Sequence, residues 1–276
     1  MKIENIIRQR YSVRTYSSKQ VDENLRTQIM EYAESIENPF GPDVRYKWLD
    51  KKQLPKGEKL GTYGIIQGTD LYLGTAVPEH ENAMEALGYS FEKLVLHLTD
   101  MGLGACWLGG TFNRKAFTEA MELKEGEIFC IVSPVGYPAE KKSLIEKMMR
   151  LGSKGDKRNG WEMHFFNGDF QTPLTKEDAG VYELPLEMVR LAPSAVNRQP
   201  WRIVMKDGAF HFFEKHTRED EVPAMIDMHR IDLGIAMCHF HMTVEELGLT
   251  GRFERMDVSY IEPAGNMSYI ASWIVE

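Results

Sequence analysis

ALGYSFEKLVLHLTDMGL, residues 86–103, and DLGIAMCHFHMTVEELGL, residues 232–249, decide how the chain is organised. Leu87-Gly88 and Gly102-Leu103 of the first stretch recur as Leu233-Gly234 and Gly248-Leu249 of the second at one constant offset, with apolar residues or carboxylates matching at several positions between. Both stretches lie in long helical patterns, 81–100 and about 230–246. The first is apolar on most sides, as a largely buried helix must be. Two equivalent helices point to an α+β unit of roughly domain size that has been used twice and has since diverged.

The segments around these helices fill in the same class. Residues 1–10 and 22–36 place apolar side chains at helical spacing, and Asp22 and Glu23 suit the first turn of the second helix. Between them Arg10-Tyr11-Ser12-Val13-Arg14-Thr15-Tyr16 favours an extended path, which puts residues 10, 12 and 14 on one face. Residues 62–77 read as two strands or a hairpin, 102–110 as a glycine-rich loop, 113–122 as a short helix and 128–137 as a buried strand. From 141 to 160 the composition turns basic and glycine-containing, with no apolar periodicity after Leu151, and reads as a surface connection. A helix over 185–191, a loop over 192–200, strands over 201–206 and 209–214, the helix from 230, and strands near 253–261 and 267–275 complete the chain.

Composition excludes several classes of protein. With 276 residues, 43% hydrophobic and 27% charged, the chain can bury a large core without metal or disulfide. A net charge of -8 repels polyanions, so no nucleic-acid partner is expected. Cys106, Cys130 and Cys238 are odd in number and widely spaced, which fits neither a disulfide framework nor a zinc knuckle and suits a reducing cytoplasm. The opening residues carry charges where a signal peptide needs an apolar run, and no stretch approaches the length of a membrane span.

Three segments carry candidate chemistry. Arg10, Ser12 and Arg14 offer two guanidiniums and a hydroxyl on one face, a set suited to a phosphate monoester, although the same pattern also occurs in ordinary polar surface. Ala192-Pro193-Ser194-Ala195-Val196-Asn197-Arg198-Gln199-Pro200-Trp201 is a proline-fixed loop dense in hydrogen-bonding side chains; a helix stop followed by an anchoring tryptophan explains its prolines and leaves its polar residues unexplained. The glycine cluster 102–110 is not a dinucleotide fingerprint, because Trp107 stands where the third glycine belongs. Gly109 and Gly110 suit either close approach of backbone to a flat ligand or a tight turn. The eight histidines show no metal spacing and read as core or surface packing, as Glu245, Glu246 and the acidic patch 219–221 read as solvated faces.

Together these segments resemble the FMN-dependent nitroreductase family. Its Ile-x-x-Arg-x-Ser-x-Arg opening matches Ile7, Arg10, Ser12 and Arg14. Its Pro-Ser-x-x-Asn-x-Gln-Pro-Trp loop matches Pro193, Ser194, Asn197, Gln199, Pro200 and Trp201, and its Gly-Leu-Gly-x-x-Trp-x-Gly and Gly-Tyr-Pro segments match 102–109 and 136–138. The chain departs from the family in one respect. Residues 38–48 lack the Pro-Ser loop that members carry after their first helices, and residues 160–185 lack an arginine opening, so each half holds only part of the set.

The resemblance implies an internally duplicated pseudo-dimer, α+β with antiparallel or mixed sheets flanked by helices, its halves spanning 1–158 and 159–276. It implies one FMN site between the halves, with Arg10, Tyr11, Ser12 and Arg14, the Trp107-Leu108-Gly109-Gly110 segment, Lys157, Arg158, Pro193, Ser194 and Asn197 as cofactor contacts. Neither a catalytic side chain nor a metal ligand is expected. The activity implied is hydride transfer from NADH or NADPH through FMN to a nitroaromatic, quinone or similar electron-poor acceptor, in a monomeric cytoplasmic protein. The alternative is a non-catalytic flavin-binding or regulatory protein on the same fold.

Overall fold

The computed structural model describes residues 1–51, 60–152, 155, 157–216, 226–263 and 265–276, the side chain of Arg150 excepted. The acidic patch 219–221 lies outside them. The chain divides into two compact units. Unit 1 comprises Met1, Gln9–Ala83 and Ser90–Gly155, and unit 2 comprises Lys2–Arg8, Met84–Tyr89 and Asp156–Glu276. Helix α1 (Ile3–Gln9) buries Ile3, Ile6 and Ile7, and its residues up to Arg8 belong with unit 2.

Unit 1 is built on α2 (Glu23–Glu34), β1 (Arg45–Asp50), β2 (Leu71–Pro78), most of α3 (Ala83–Asp100), β3 (Gly104–Ala105), α4 (Arg114–Met121), β4 (Glu127–Gly136) and α5 (Leu144–Gly152). Asp22, expected in the first turn of α2, stands just ahead of it and caps it by accepting from the Leu25 N–H at 2.9 Å. The strands form an antiparallel sheet in the order β1-β2-β4-β3. β2 and β4 are buried along nearly their whole length, because both sit inside the sheet and carry runs such as Leu71-Tyr72-Leu73 and Cys130-Ile131-Val132. Val13, Tyr16, Tyr72, Phe112, Phe117, Phe129 and Val132 pack in one cluster of the core.

Three expectations are corrected here. Residues 62–77 do not form two strands, because Tyr63, Gly64 and Gly68 adopt positive φ and turn the chain, so that pairing begins at Leu71. The stretch 141–160 holds α5, whose Leu144, Ile145, Met148 and Leu151 recur at helical spacing that the basic, glycine-containing composition masks; in the fold these side chains are exposed. β1 escapes the reading because it is an edge strand with charged side chains, Arg45 pairing with Glu127 at 2.6 Å and Lys47 with Glu122.

Unit 2 carries β5 (Phe165–Asn167), α6 (Lys176–Ala179), α7 (Glu183–Leu191), β6 (Trp201–Lys206), β7 (Ala209–Lys215), α8 (Met228–Glu246), β8 (Gly251–Glu254) and β9 (Met267–Val275). Its mixed sheet runs β5-β6-β7-β9-β8, with β5 parallel to β6 and every other pair antiparallel. The β6–β7 hairpin turns on Asp207 and Gly208, with φ of 49° and 73°, the two positive values that a tight hairpin favours. The strand expected over 253–261 is shorter, since β8 ends at Glu254.

The duplication is visible in topology. β1, β2, α3, β3 and β4 come in that order, with α4 inserted before β4, and make sheet order β1-β2-β4-β3; β6, β7, α8, β8 and β9 come in the same order and make β6-β7-β9-β8. The fold is α+β, internally duplicated, with one antiparallel and one mixed sheet. Within unit 2 the two equivalent helices cross at their equivalent glycines. A Cβ on Gly88 would lie 2.1 Å from the Ile231 carbonyl oxygen, and one on Gly234 would lie 2.4 Å from that of Glu85. Arg230 fastens the same crossing through both oxygens of Glu85, at 2.6 and 2.8 Å. Among the described residues no helix is long and apolar enough to cross a membrane.

Candidate functional site

Unit 1 contains the arginine motif. Residues 12–17 run extended, as expected, and are stitched to three neighbours: Val13 N–H donates to Ala105 C=O at 2.9 Å, Gln67 N–H donates to Arg14 C=O at 2.9 Å, and Ser17 N–H donates to Tyr137 C=O at 2.8 Å. The glycine segment and the Gly-Tyr-Pro segment are thus brought against the motif. Gly104 permits this approach, since a Cβ there would fall 2.6 Å from the Val13 side chain.

The two guanidiniums end up poorly satisfied for buried groups. Nε of Arg10 and Nε of Arg14 are both inaccessible and without a hydrogen-bond partner, and Arg14 Nη1 reaches only the Ser12 carbonyl, at 3.4 Å. Buried donors of this kind call for an anion. One is already near. Glu92, fully buried on α3, places Oε1 3.6 Å from Arg10 Nε and accepts from Trp107 Nε1 through Oε2 at 2.8 Å. A second carboxylate, Glu146 at the start of α5, is 1% exposed and accepts from the Thr15 hydroxyl at 2.8 Å, while its Oε1 has no partner. Burial, reinforced by Cys106, Tyr72 and Glu146, holds Tyr16 well above the usual phenol range, and burial pushes up Cys106.

The Trp107–Gly110 segment is a tight connection. Leu108 exchanges both main-chain groups with Val132, at 3.0 and 3.1 Å, and Gly109 C=O accepts from Arg114 Nη2 at 2.7 Å. Leu108 and the Gly109 carbonyl therefore anchor the loop. Tyr11 lies against the core, with Lys142 Nζ 4.7 Å from its ring.

Unit 2 gathers the other expected residues. Arg158 donates to Asn197 Oδ1 at 3.2 Å and to the Leu191 carbonyl at 3.1 Å, and Asn197 Nδ2 donates to the Lys157 carbonyl at 2.9 Å. Ser194 Oγ accepts from Gln199 N–H at 2.9 Å. The loop after Pro193 is wound through positive φ at Val196, Asn197 and Gln199, of 44°, 58° and 53°. Such conformations cost energy for a β-branched residue like Val196 and persist only where surroundings impose them. Here Asp232, 2% exposed on α8, imposes them by accepting Ala195 N–H on both oxygens, at 3.0 and 3.1 Å.

Glu92, Glu146 and Asp232 are the residues that the sequence reading missed. Glu92 and Asp232 stand on helices buried nearly all round, where a carboxylate must find a partner. That was the available signal. Nothing in the pattern marks Glu146, because its helix was not anticipated.

A family model described as "Putative TM nitroreductase" matches residues 2–244. A "putative nitroreductase" from Thermotoga maritima is 19% identical and superposes with a TM-score of 0.62 over 100% of this chain and 94% of its own. A nitroreductase family protein from Clostridium novyi is 17% identical, with a TM-score of 0.41 over 52% of this chain and 89% of its own. An FMN-dependent nitroreductase from Clostridium difficile is 16% identical, with a TM-score of 0.39 over 50% of this chain and 88% of its own. No curated protein matches the sequence.

Proposed function

Because the chain belongs to this nitroreductase family, we propose that it is an FMN-dependent oxidoreductase and that its arginine motif takes the cofactor phosphate. One observation carries the reading: two buried guanidinium nitrogens, Nε of Arg10 and Nε of Arg14, flank Ser12 on one extended segment and have no hydrogen-bond partner. When bound, FMN supplies the redox chemistry, taking hydride from NADH or NADPH and passing it to a nitroaromatic, quinone or similar electron-poor acceptor.

The residues contribute binding and electrostatics. Arg10 and Ser12 would hold the phosphate, the charge of Arg14 would favour added electrons on the flavin, and Trp107, Gly109 and Gly110 would offer backbone to the cofactor while Leu108 and Tyr11 fix the segments that carry these residues. Glu92 keeps Arg10 folded inward and compensates its charge when no anion is bound. Lys157, Arg158, Pro193, Ser194 and Asn197 belong to the same proposal on their motif, supported by a loop that is already shaped in unit 2.

Released flavin per purified chain, followed by anaerobic addition of NADH and NADPH, tests the reading. About one FMN per chain that bleaches, with parallel initial-rate plots against menadione or nitrofurazone, is expected from one cofactor serving both substrates in turn. Two FMN per chain overturn the single site, and flavin that binds without turnover leaves a binding or regulatory protein.

A further inference from the structure

The end of β7 and the start of α8 gather groups that flavin chemistry does not use. Glu214 is 1% exposed, and its Oε1 makes no hydrogen bond. It faces two imidazoles instead, with His216 Nδ1 at 3.0 Å and His229 Nδ1 at 3.7 Å. Asp227 caps α8, its Oδ1 accepting from the N–H groups of His229 and Arg230 at 2.9 and 3.2 Å. One ligand-capable atom from each of Glu214, Asp227 and His229 lies within 4.8 Å of the others.

A sealed carboxylate oxygen is costly unless a cation or a donor meets it. The guanidinium next in sequence does not, since Arg230 turns to Glu85; without an ion, the His216 and His229 imidazoles meet it as donors. Glu214 Oε1 and His229 Nδ1, 3.7 Å apart, stand near the separation that two ligands of one ion need, and the Asp227 atom has to close in from within 4.8 Å. Ligand atoms around a tetrahedral ion with bonds of about 2.0–2.1 Å stand about 3.3–3.4 Å apart, and imidazole with carboxylate is the donor set of zinc-like ions. The positive end of α8 opposes a cation, which the carboxylates of Glu214 and Asp227 outweigh. We propose that Glu214, Asp227 and His229, with His216 beside them, bind one divalent transition-metal ion of the zinc type at the junction of β7 and α8.

Such an ion fastens β7 to the first turn of α8, one turn before the Asp232 carboxylate that holds Ala195 in the strained loop. The spacing 214, 227, 229 matches no ligand motif along the chain, because β7 and α8 meet only in the fold.

The full-length protein, stripped with chelator and dialysed, is titrated with zinc chloride by calorimetry and with cobalt(II) in the visible range. One zinc per chain is expected, with a rise in Tm on binding and cobalt d–d bands that lack thiolate charge transfer. His229→Gln and Glu214→Gln each weaken zinc binding at least tenfold, whereas His80→Ala, at an exposed histidine, leaves it unchanged. Metal-free Tm and circular dichroism of each variant separate lost binding from lost folding, and Glu214→Gln keeps the shape of the side chain if His229→Gln does not fold. Zinc that neither binds nor raises Tm, or that binds both glutamine variants as tightly as the parent, overturns the site and leaves an ion-pair cluster.

Discussion

Glu92 and Arg10 face each other at 3.6 Å with the carboxylate fully buried and the guanidinium side chain 7% exposed, so the first arginine of the motif proposed to take the phosphate already has a counter-charge. A buried pair is expensive to break from one side, about 3–5 kcal/mol, because the survivor is left charged and alone. Glu92→Gln keeps an acceptor for Trp107 and removes the negative charge. Stability without flavin should fall, and FMN should bind more tightly. Thermal unfolding with and without FMN checks both signs, and a variant that binds FMN more weakly than the parent would reject the proposed competition.

Arg10→Ala removes the other partner. FMN affinity should drop by about 2–5 kcal/mol, the usual cost of deleting one side of a desolvated charge contact, and Glu92 should lose its compensation as well. Fluorescence titration of the stripped protein reads the first effect, and unchanged affinity would discredit Arg10 as a phosphate ligand.

Arg14→Gln should leave FMN bound and lower its reduction potential, because a positive charge beside the ring favours added electrons. Spectroelectrochemical titration against the parent measures the shift. No change would remove Arg14 from the ring.

His164 predicts an acid limit. It is fully buried in unit 2, with Nδ1 3.2 Å from the Trp201 carbonyl oxygen and 3.3 Å from Arg202 Nη1. Burial, aided by the charge of Arg202, pushes its pKa down to about 4. A depressed histidine contributes stability that is complete above its unfolded value near 6.5 and is lost as pH falls towards 4, to the extent of about 3 kcal/mol. Denaturant midpoints measured from pH 7 to pH 4.5 should decline steeply in the parent and less so in His164→Gln.

The helix crossing predicts a packing penalty. Gly88→Ala or Gly234→Ala drives a methyl into a carbonyl oxygen of the facing helix, and backbone cannot step aside as a flexible side chain can. A loss of at least about 1–3 kcal/mol is expected for either. Urea unfolding checks it, and a neutral alanine would mean that the crossing is looser than described.

What could be read from residues alone follows what each element contacts. α3, α8 and the β6–β7 hairpin are expected within a few residues of where they occur, because their apolar spacing and the Asp207-Gly208 turn state their surroundings locally. The arginine segment is also read correctly as extended. β1 and α5 are missed for different reasons: the first hides its role behind charged edge residues, and the second has apolar helical spacing inside a basic, glycine-containing stretch that reads as a connection. Of the candidate contacts, Arg158 and Asn197 meet at 3.2 Å in unit 2, a pairing that neither segment announces. Glu92 reaches Arg10 only through the fold, eighty-two positions away in the chain, and no local pattern announces that pairing.

The meeting of Gly88 with Gly234 also bears on how this protein can change. When two identical subunits pair, every substitution is written twice, and a residue tolerated in one place but not in its mirror image is rejected outright. A chain that carries both copies of the crossing in one reading frame is released from that rule. Each copy can drift, specialise or fall silent while the other is held, and an arginine opening kept in one half with a Pro-Ser loop kept in the other is the record such freedom leaves behind.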